Sequence, residues 1–204
     1  TGLVTHPASG LREATLVHGL LGKGIAGGED PERPGVVHRL DRGTSGLLAL
    51  ARSEEAHEKL EALLRERAFE RIYLALVRGR PRSRTGRIEA PIGRDRNDPT
   101  RVSLDTDSPK DAATNFEVEE LWPGYALLRV KLDTGRMHQI RVHLAAVDLP
   151  VVGDATYGVK EPGLSRQFLH ATELSFPHPF TDERVETASE LPDDLAAFLT
   201  ALAS

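Results

Sequence analysis

The sequence predicts one domain in which α-helices are interleaved with β-strands, and three stretches predict it. Ser53–Arg67 sets apolar residues at helical spacing behind a serine. Ile72–Val77 is apolar or β-branched on both faces, as in a strand buried inside a sheet. Phe116–Leu121 and Tyr125–Leu132 flank Pro123-Gly124, where Pro suits the second and Gly the third position of a type II turn, so the pair reads as a hairpin. At 204 residues the chain has the length of one domain or two small ones. No internal repeat or low-complexity linker divides it, so residues 1–204 are read as a single domain.

Taken in order, Ala14–Leu21 is a short helix with Leu16 and Leu20 four apart. Gly22–Gly35 is rich in Gly, Pro and acid and has no period, which marks a loop. Val36–Ala51, VVHRLDRGTSGLLALA, places two apolar runs around a polar turn that holds Asp41. A strand in and a strand out would present that carboxylate at the mouth of a sheet. Arg39 and Arg42 flank it, and neighbouring cations favour the anion, the form a nucleophile or general base needs. The alternative is an Asp that only caps its own turn.

In Ser53–Arg67, Ser53 is the expected N-cap and Glu54 and Glu55 fall in the first turn, where the helix dipole favours them. Ala56, Leu60, Leu63 and Leu64 form the buried stripe, with Glu55/Lys59 and Glu61/Arg65 paired on the wet side. On the strand that follows, Tyr73 shares a face with Ala75 and Val77. An isolated Tyr there is a core residue whose hydroxyl finds a partner. In the hairpin, Ala126, Leu128, Val130 and Leu132 lie on one face.

Thr134–Val147 returns to helical spacing, with Met137, Ile140, Leu144 and Val147 toward the core and His138, Arg141 and Ala145 on another face. His138 and His143 are five apart, unlike the i,i+4 pair of a zinc helix, so they are read as hydrogen-bonded structural groups. Leu149–Gly158 is a strand and turn, and Asp154 a turn-former. Phe168–Pro179 is a closing strand. Pro192–Leu202 is an amphipathic helix that buries Leu195, Phe198, Leu199 and Leu202 behind Asp193 and Asp194.

Composition narrows the classes. With 39% hydrophobic and 28% charged residues the chain reads as an ordinary soluble globular protein. There is no Cys, so disulfides and thiolate metal sites are excluded. No apolar run of membrane-spanning length and no secretory leader are visible, which fits the cytosol. The net charge of −5 argues against a nucleic-acid partner, yet Arg78–Arg101 holds eight Arg against three acids. Taken alone that segment is a solvated loop as readily as a contact to an RNA backbone, and beside a catalytic sheet the RNA contact is the favoured reading.

Five stretches resemble one family. HRLD-x-x-TSG (His38–Gly46) resembles the active-site signature of the RluA/RluD-type pseudouridine synthases, with seven specified residues in nine positions. RIYLALVRG (Arg71–Gly79), PIGR (Pro91–Arg94), GR-x-HQIR-x-H (Gly135–His143) and LPVVGDATYG (Leu149–Gly158) follow in family order. The likeness runs from about Gly2 to Phe180. Arg71 stands where the family more often has Lys.

The resemblance implies an α+β fold with a central mixed, largely antiparallel sheet flanked by helices and loops. It implies isomerisation of uridine to pseudouridine in RNA without a cofactor or metal. Asp41 is then the catalytic residue, acting at C1′ or C2′ of a flipped-out uridine. Tyr73 stacks on the base, Arg141 forms a bidentate pair with Asp41, and Arg39 touches phosphate or braces the turn. Whether Asp41 stabilises an oxocarbenium, adds to C1′ or takes a sugar proton stays open. Large-subunit ribosomal RNA is the expected target, with transfer RNA the alternative, and the protein is expected to be a cytoplasmic monomer. The Lys-Pro pair and small RNA-binding domain that often precede this segment are missing, so a trimmed chain is expected. A non-catalytic RNA-binding or ribosome-assembly module on the same fold is the rival reading. A glycosidase is disfavoured because it would want a second carboxylate.

Overall fold

The run Ile72–Val77 lies in the middle of the molecule, with a hydrogen-bonded strand on each side, in a computed structural model that describes residues 2–7, 13–98 and 100–203. In chain order the elements are α1 (Leu16–Leu20), β1 (Ser45–Gly46), α2 (Glu54–Arg65), β2 (Glu70–Arg78), β3 (Thr85–Glu89), β4 (Gly93–Arg94), β5 (Val102–Ser103), β6 (Ala113–Trp122), β7 (Tyr125–Leu132), α3 (Gln139–Ala146), β8 (Leu169–Pro177), β9 (Arg184–Ala188) and α4 (Asp193–Leu202). Seven strands form one sheet in the order β1-β8-β2-β7-β6-β3, with β9 also paired to β8, and β4 and β5 make a separate ribbon. Among the described residues every pairing between these strands is antiparallel except β1 with β8. The fold is α+β, and its sheet is mixed and mostly antiparallel.

The periodicities explain most of this. β2 is buried on both faces because Tyr73, Ala75 and Val77 pack with Ile140 and Leu144 of α3, and Leu76 packs with Phe168 and with Leu195 of α4. Ala126, Leu128, Val130 and Leu132 alternate into the core, where they meet Tyr73, Ala75, Val77, Ile140 and Leu144. Gly124 closes the β6–β7 hairpin at φ +79°, the left-handed conformation its turn requires. Ser53 caps α2 by accepting from the Ala56 N–H at 3.1 Å, and Glu55–Lys59 closes at 2.9 Å. Leu195, Phe198, Leu199 and Leu202 seat α4 against Phe168 and Leu76.

Four expectations are corrected. The flanks of the Asp41 turn are not strands: Val36 and Leu50 meet at an isolated bridge, and only Ser45–Gly46 pairs with β8. The His38 ring takes the Ala49 N–H at 2.9 Å, where a ladder partner would otherwise sit. α3 begins at Gln139, because Gln139 pins the preceding turn by accepting from Thr134 Oγ1 (2.7 Å) and the Arg136 N–H (3.0 Å). At the other end Asp148, at φ +60°, turns the chain so that the Leu149 N–H reaches the Leu144 carbonyl at 2.9 Å, which leaves Val147 past the helix and exposed, while residues 139–144 are buried. Leu149–Gly158 makes isolated bridges, Val77 with Val151 and Val152 with Val159, in place of a strand. No described helix is long and apolar enough to cross a membrane.

Candidate active site

Asp41 sits on a turn closed by the Thr44 N–H on the Asp41 carbonyl at 2.9 Å, four residues before β1. Distant parts of the chain hold this turn. The buried Thr5 hydroxyl donates to the Leu40 carbonyl at 3.0 Å and accepts the Leu40 N–H at 3.3 Å. Arg166 donates to the Gly43 carbonyl (3.0 Å) and to Ser45 Oγ (3.3 Å), and is itself gripped by Asp194 at 2.7 and 2.8 Å. Ser45 Oγ also meets His170 Nδ1 at 2.9 Å. Gly46, at φ +110°, lets the chain lie against β8, where a Cβ would collide with the Ala171 carbonyl.

The turn opens into a cavity of about 650 Å³, within the range of small-ligand sites. Asp41, Tyr73, Arg141, Arg39, Arg71 and His138 all line it. Arg141 Nη1 donates to Asp41 Oδ2 at 3.1 Å, and no other hydrogen bond reaches the Asp41 side chain among the described residues. The expected bidentate pair exists, but with a different acid. Arg141 Nε and Nη2 donate to Oδ2 and Oδ1 of Asp154 at 2.6 and 2.9 Å, and Asp154 is fully buried. Asp154 does form its turn, through the Thr156 and Tyr157 N–H groups at 2.8 and 3.1 Å, and it fixes the guanidinium as well. Burial would lift the Asp154 carboxyl, but the Arg141 bonds and the two N–H groups outweigh it and hold it below the usual range. Burial likewise works against the Arg141 cation, and Asp154 with Asp41 raises its pKa above the ordinary value.

Tyr157 backs the pair. The Arg141 guanidinium lies 5.0 Å from its ring centre, and its hydroxyl takes the Val102 N–H and contacts His138 Nδ1, each at 2.9 Å. His138 caps α3 at φ 54°, a left-handed conformation that costs a non-glycine about 1 kcal/mol and is concentrated at functional sites. His143 is held by Thr114 Oγ1 and the Ala90 carbonyl, both at 2.9 Å.

Tyr73 packs its ring into the core and also walls the cavity, and its hydroxyl makes no hydrogen bond among the described residues. Burial pushes that phenol up to about 12, so it stays neutral. Arg39 is exposed on the rim. Arg42, expected beside Asp41, turns away to Glu13 and the Gly2 carbonyl. The arginine-rich segment does not line the cavity: Arg78 pairs with Glu161, Arg87 with Asp133, and Arg96 with Asp105 and Asp107. The cavity's own cations, Arg33, Arg39, Arg65, Arg67, Arg71, Arg136 and Arg141, come from six other places in the chain and outnumber Asp41, Glu61 and Asp133.

Residues 1–146 match the family described as RNA pseudouridylate synthase. The chain belongs to this family. An uncharacterized RNA pseudouridine synthase of Chloroflexus aurantiacus is 46% identical over 98% of this chain and 64% of its own length. The uncharacterized RNA pseudouridine synthase YlyB of Bacillus subtilis is 41% identical over 97% and 66%. Ribosomal large subunit pseudouridine synthase D of Nitrosomonas europaea is 40% identical over 98% and 60%. The chain thus spans less than two thirds of the length of these relatives. Among solved structures, human RNA pseudouridylate synthase domain containing 1 superposes with a TM-score of 0.72 at 28% identity, over 98% of this chain and 90% of that one.

Within this pseudouridylate synthase domain, sequence reasoning missed Asp154 as the clamp on Arg141, Thr5 and Arg166 as clamps on the turn, and Arg71 as a cavity residue. Asp154 left a signal as an acid wedged between the apolar run LPVV and a Tyr-Gly turn, and Arg71 left one as the cation two residues before Tyr73 in its motif.

Proposed function

We propose that this chain isomerises uridine to pseudouridine in RNA, with Asp41 acting at the sugar of a flipped-out nucleotide. The observation that carries the reading is the Asp41 carboxylate, held through one oxygen by Arg141 at 3.1 Å, in a cavity walled by Tyr73 and rich in arginine. The reaction breaks the N1–C1′ bond, turns the uracil and joins C5 to C1′, after which C5 gives up its proton. One carboxylate suffices because the base is recaptured, whereas net glycoside hydrolysis usually needs two. Asp41 uses one oxygen on Arg141 and keeps the other for the sugar. A base inside a helix is out of reach, so it must leave the stack, and the Tyr73 ring offers a face for it. The apolar wall of Tyr73, Leu40 and Ile140 shields the freed uracil from water.

The arginines around the cavity suit a phosphate backbone, Arg39 among them. Large-subunit ribosomal RNA is the proposed substrate, supported by the 40% identical ribosomal large subunit pseudouridine synthases D of Nitrosomonas europaea and Pseudomonas aeruginosa. Every residue invoked lies on one chain, so a monomer acting on RNA in the cytoplasm is sufficient. The test is tritium release from RNA carrying [5-³H]uridine. Asp41→Asn is expected to abolish release and leave the melting curve intact. Robust release by that variant refutes the role of Asp41, and RNA binding without release by the wild-type protein would turn the chain into a binding module.

A further inference from the structure

Arg71 is the group the reaction leaves unused. It lies on β2 two residues before Tyr73, and both side chains line the cavity. Two residues along a strand advance about 7 Å, close to the reach from a nucleotide's base across its ribose to its phosphate. Arg71 is only 8% exposed, yet no carboxylate pairs with it among the described residues, and its Nε–H is buried without a hydrogen-bond partner. A guanidinium does not shed its charge, so a buried one without a partner is costly unless a ligand supplies it. Gly135 makes the room, since a Cβ there would stand 2.5 Å from Arg71 Nη1.

His38 lines the same cavity and carries a second unmet donor. Its Nε2 accepts the Ala49 N–H at 2.9 Å, so the ring proton sits on Nδ1, which is buried and has no partner. Burial and the neighbouring Arg71 charge hold this His down at about 3, and it is therefore a neutral donor. A cation with a planar fork and a neutral N–H beside it match an oxyanion better than a carbonyl.

We propose that Arg71 and His38 bind a phosphate of the RNA strand next to the nucleotide whose base sits on Tyr73. This rests on the reading of the cavity as a uridine site. Arg71 is a substrate-binding residue buried at a cost to the free protein, unlike the exposed arginines of the rim.

The probe is inorganic phosphate. In ¹⁵N-labelled wild-type protein the Arg71 Nε–H resonance is identified as the guanidinium signal missing from Arg71→Lys. Titration with phosphate is expected to shift it saturably, and uridine without phosphate is expected to leave it in place. A signal that phosphate does not move, or that uridine moves as far, overturns the proposal. Arg71→Met is expected to bind phosphate at least tenfold more weakly and to melt no lower than wild type in phosphate-free buffer. Unchanged affinity, or a clearly lower melting temperature, would show that protein groups hold Arg71 and would also overturn it. Tritium release by the wild-type protein is scored separately. Release without a phosphate response removes this inference alone, and a phosphate response without release removes the uridine reading beneath it.

Discussion

Replacing Asp154 by Asn separates the clamp on Arg141 from the turn that Asp154 also builds. The Asn Oδ1 keeps the Thr156 and Tyr157 N–H bonds and the Arg141 Nη2 bond, all of which fall on Asp154 Oδ1. Its Nδ2 replaces Oδ2 and sets a donor against the Arg141 Nε donor across 2.6 Å. Removing one charge from a buried pair costs about 3–5 kcal/mol, and the surviving bonds leave no reason for the turn itself to open. For a domain of this size that is roughly 6–20 °C in melting temperature. Arg141 should then swing from Asp41, and a misplacement of about 1 Å costs on the order of a hundredfold in rate. The sign with pH is fixed. The folded carboxyl of Asp154 lies below its usual range, so its stabilisation is complete above the unfolded value of about 3.9 and disappears as pH falls through the folded one. The gap in melting temperature between wild type and Asp154→Asn should be constant near neutrality and should narrow below about pH 4. Calorimetry across pH, with tritium release at pH 7, measures both effects. A variant that melts within 2 °C of wild type, or one that keeps its kcat, would refute the clamp.

Tyr73→Phe should fold with little change in stability, because the lost hydroxyl has no protein partner, and should keep most of its rate if the ring is what matters. Tyr73→Ala should lose about 3–5 kcal/mol as a core truncation and most of its turnover; melting curves with tritium release distinguish the two. Gly46→Ala should cost more than about 2 kcal/mol by straining a positive φ and pushing β1 off the Ala171 carbonyl, read by chemical denaturation. Arg166→Ala should lower kcat about tenfold by freeing the Gly43 carbonyl, whereas Asp194→Asn, on the half-exposed side of that pair, should change it less than threefold.

What could be read from the chain was whatever obeyed a local rule. β2, the β6–β7 hairpin, α2 and α4 bury apolar residues at a period of two or 3.6 and so announce themselves. β9 and β3 are almost wholly exposed edge strands, joined by backbone hydrogen bonds that leave no apolar alternation to read. The resemblance marked Asp41, Tyr73 and Arg141, and these three share the cavity. Asp154 escaped because a buried carboxylate and a turn-capping carboxylate have the same local sequence. The charge run Arg78–Arg101 does not mark the cavity, because charge along a chain says nothing about which acids fold onto it, as the pairs of Arg78, Arg87 and Arg96 illustrate.

Apart from Thr5, the grip on the Asp41 turn comes from partners 100 to 125 residues further along, Arg141, Arg166 and His170. Closing loops of that span belongs to the slow, late part of folding. A half-folded chain therefore holds Asp41 on a slack segment, without Arg141 beside it. The site is therefore complete only when both ends of the sheet have come together.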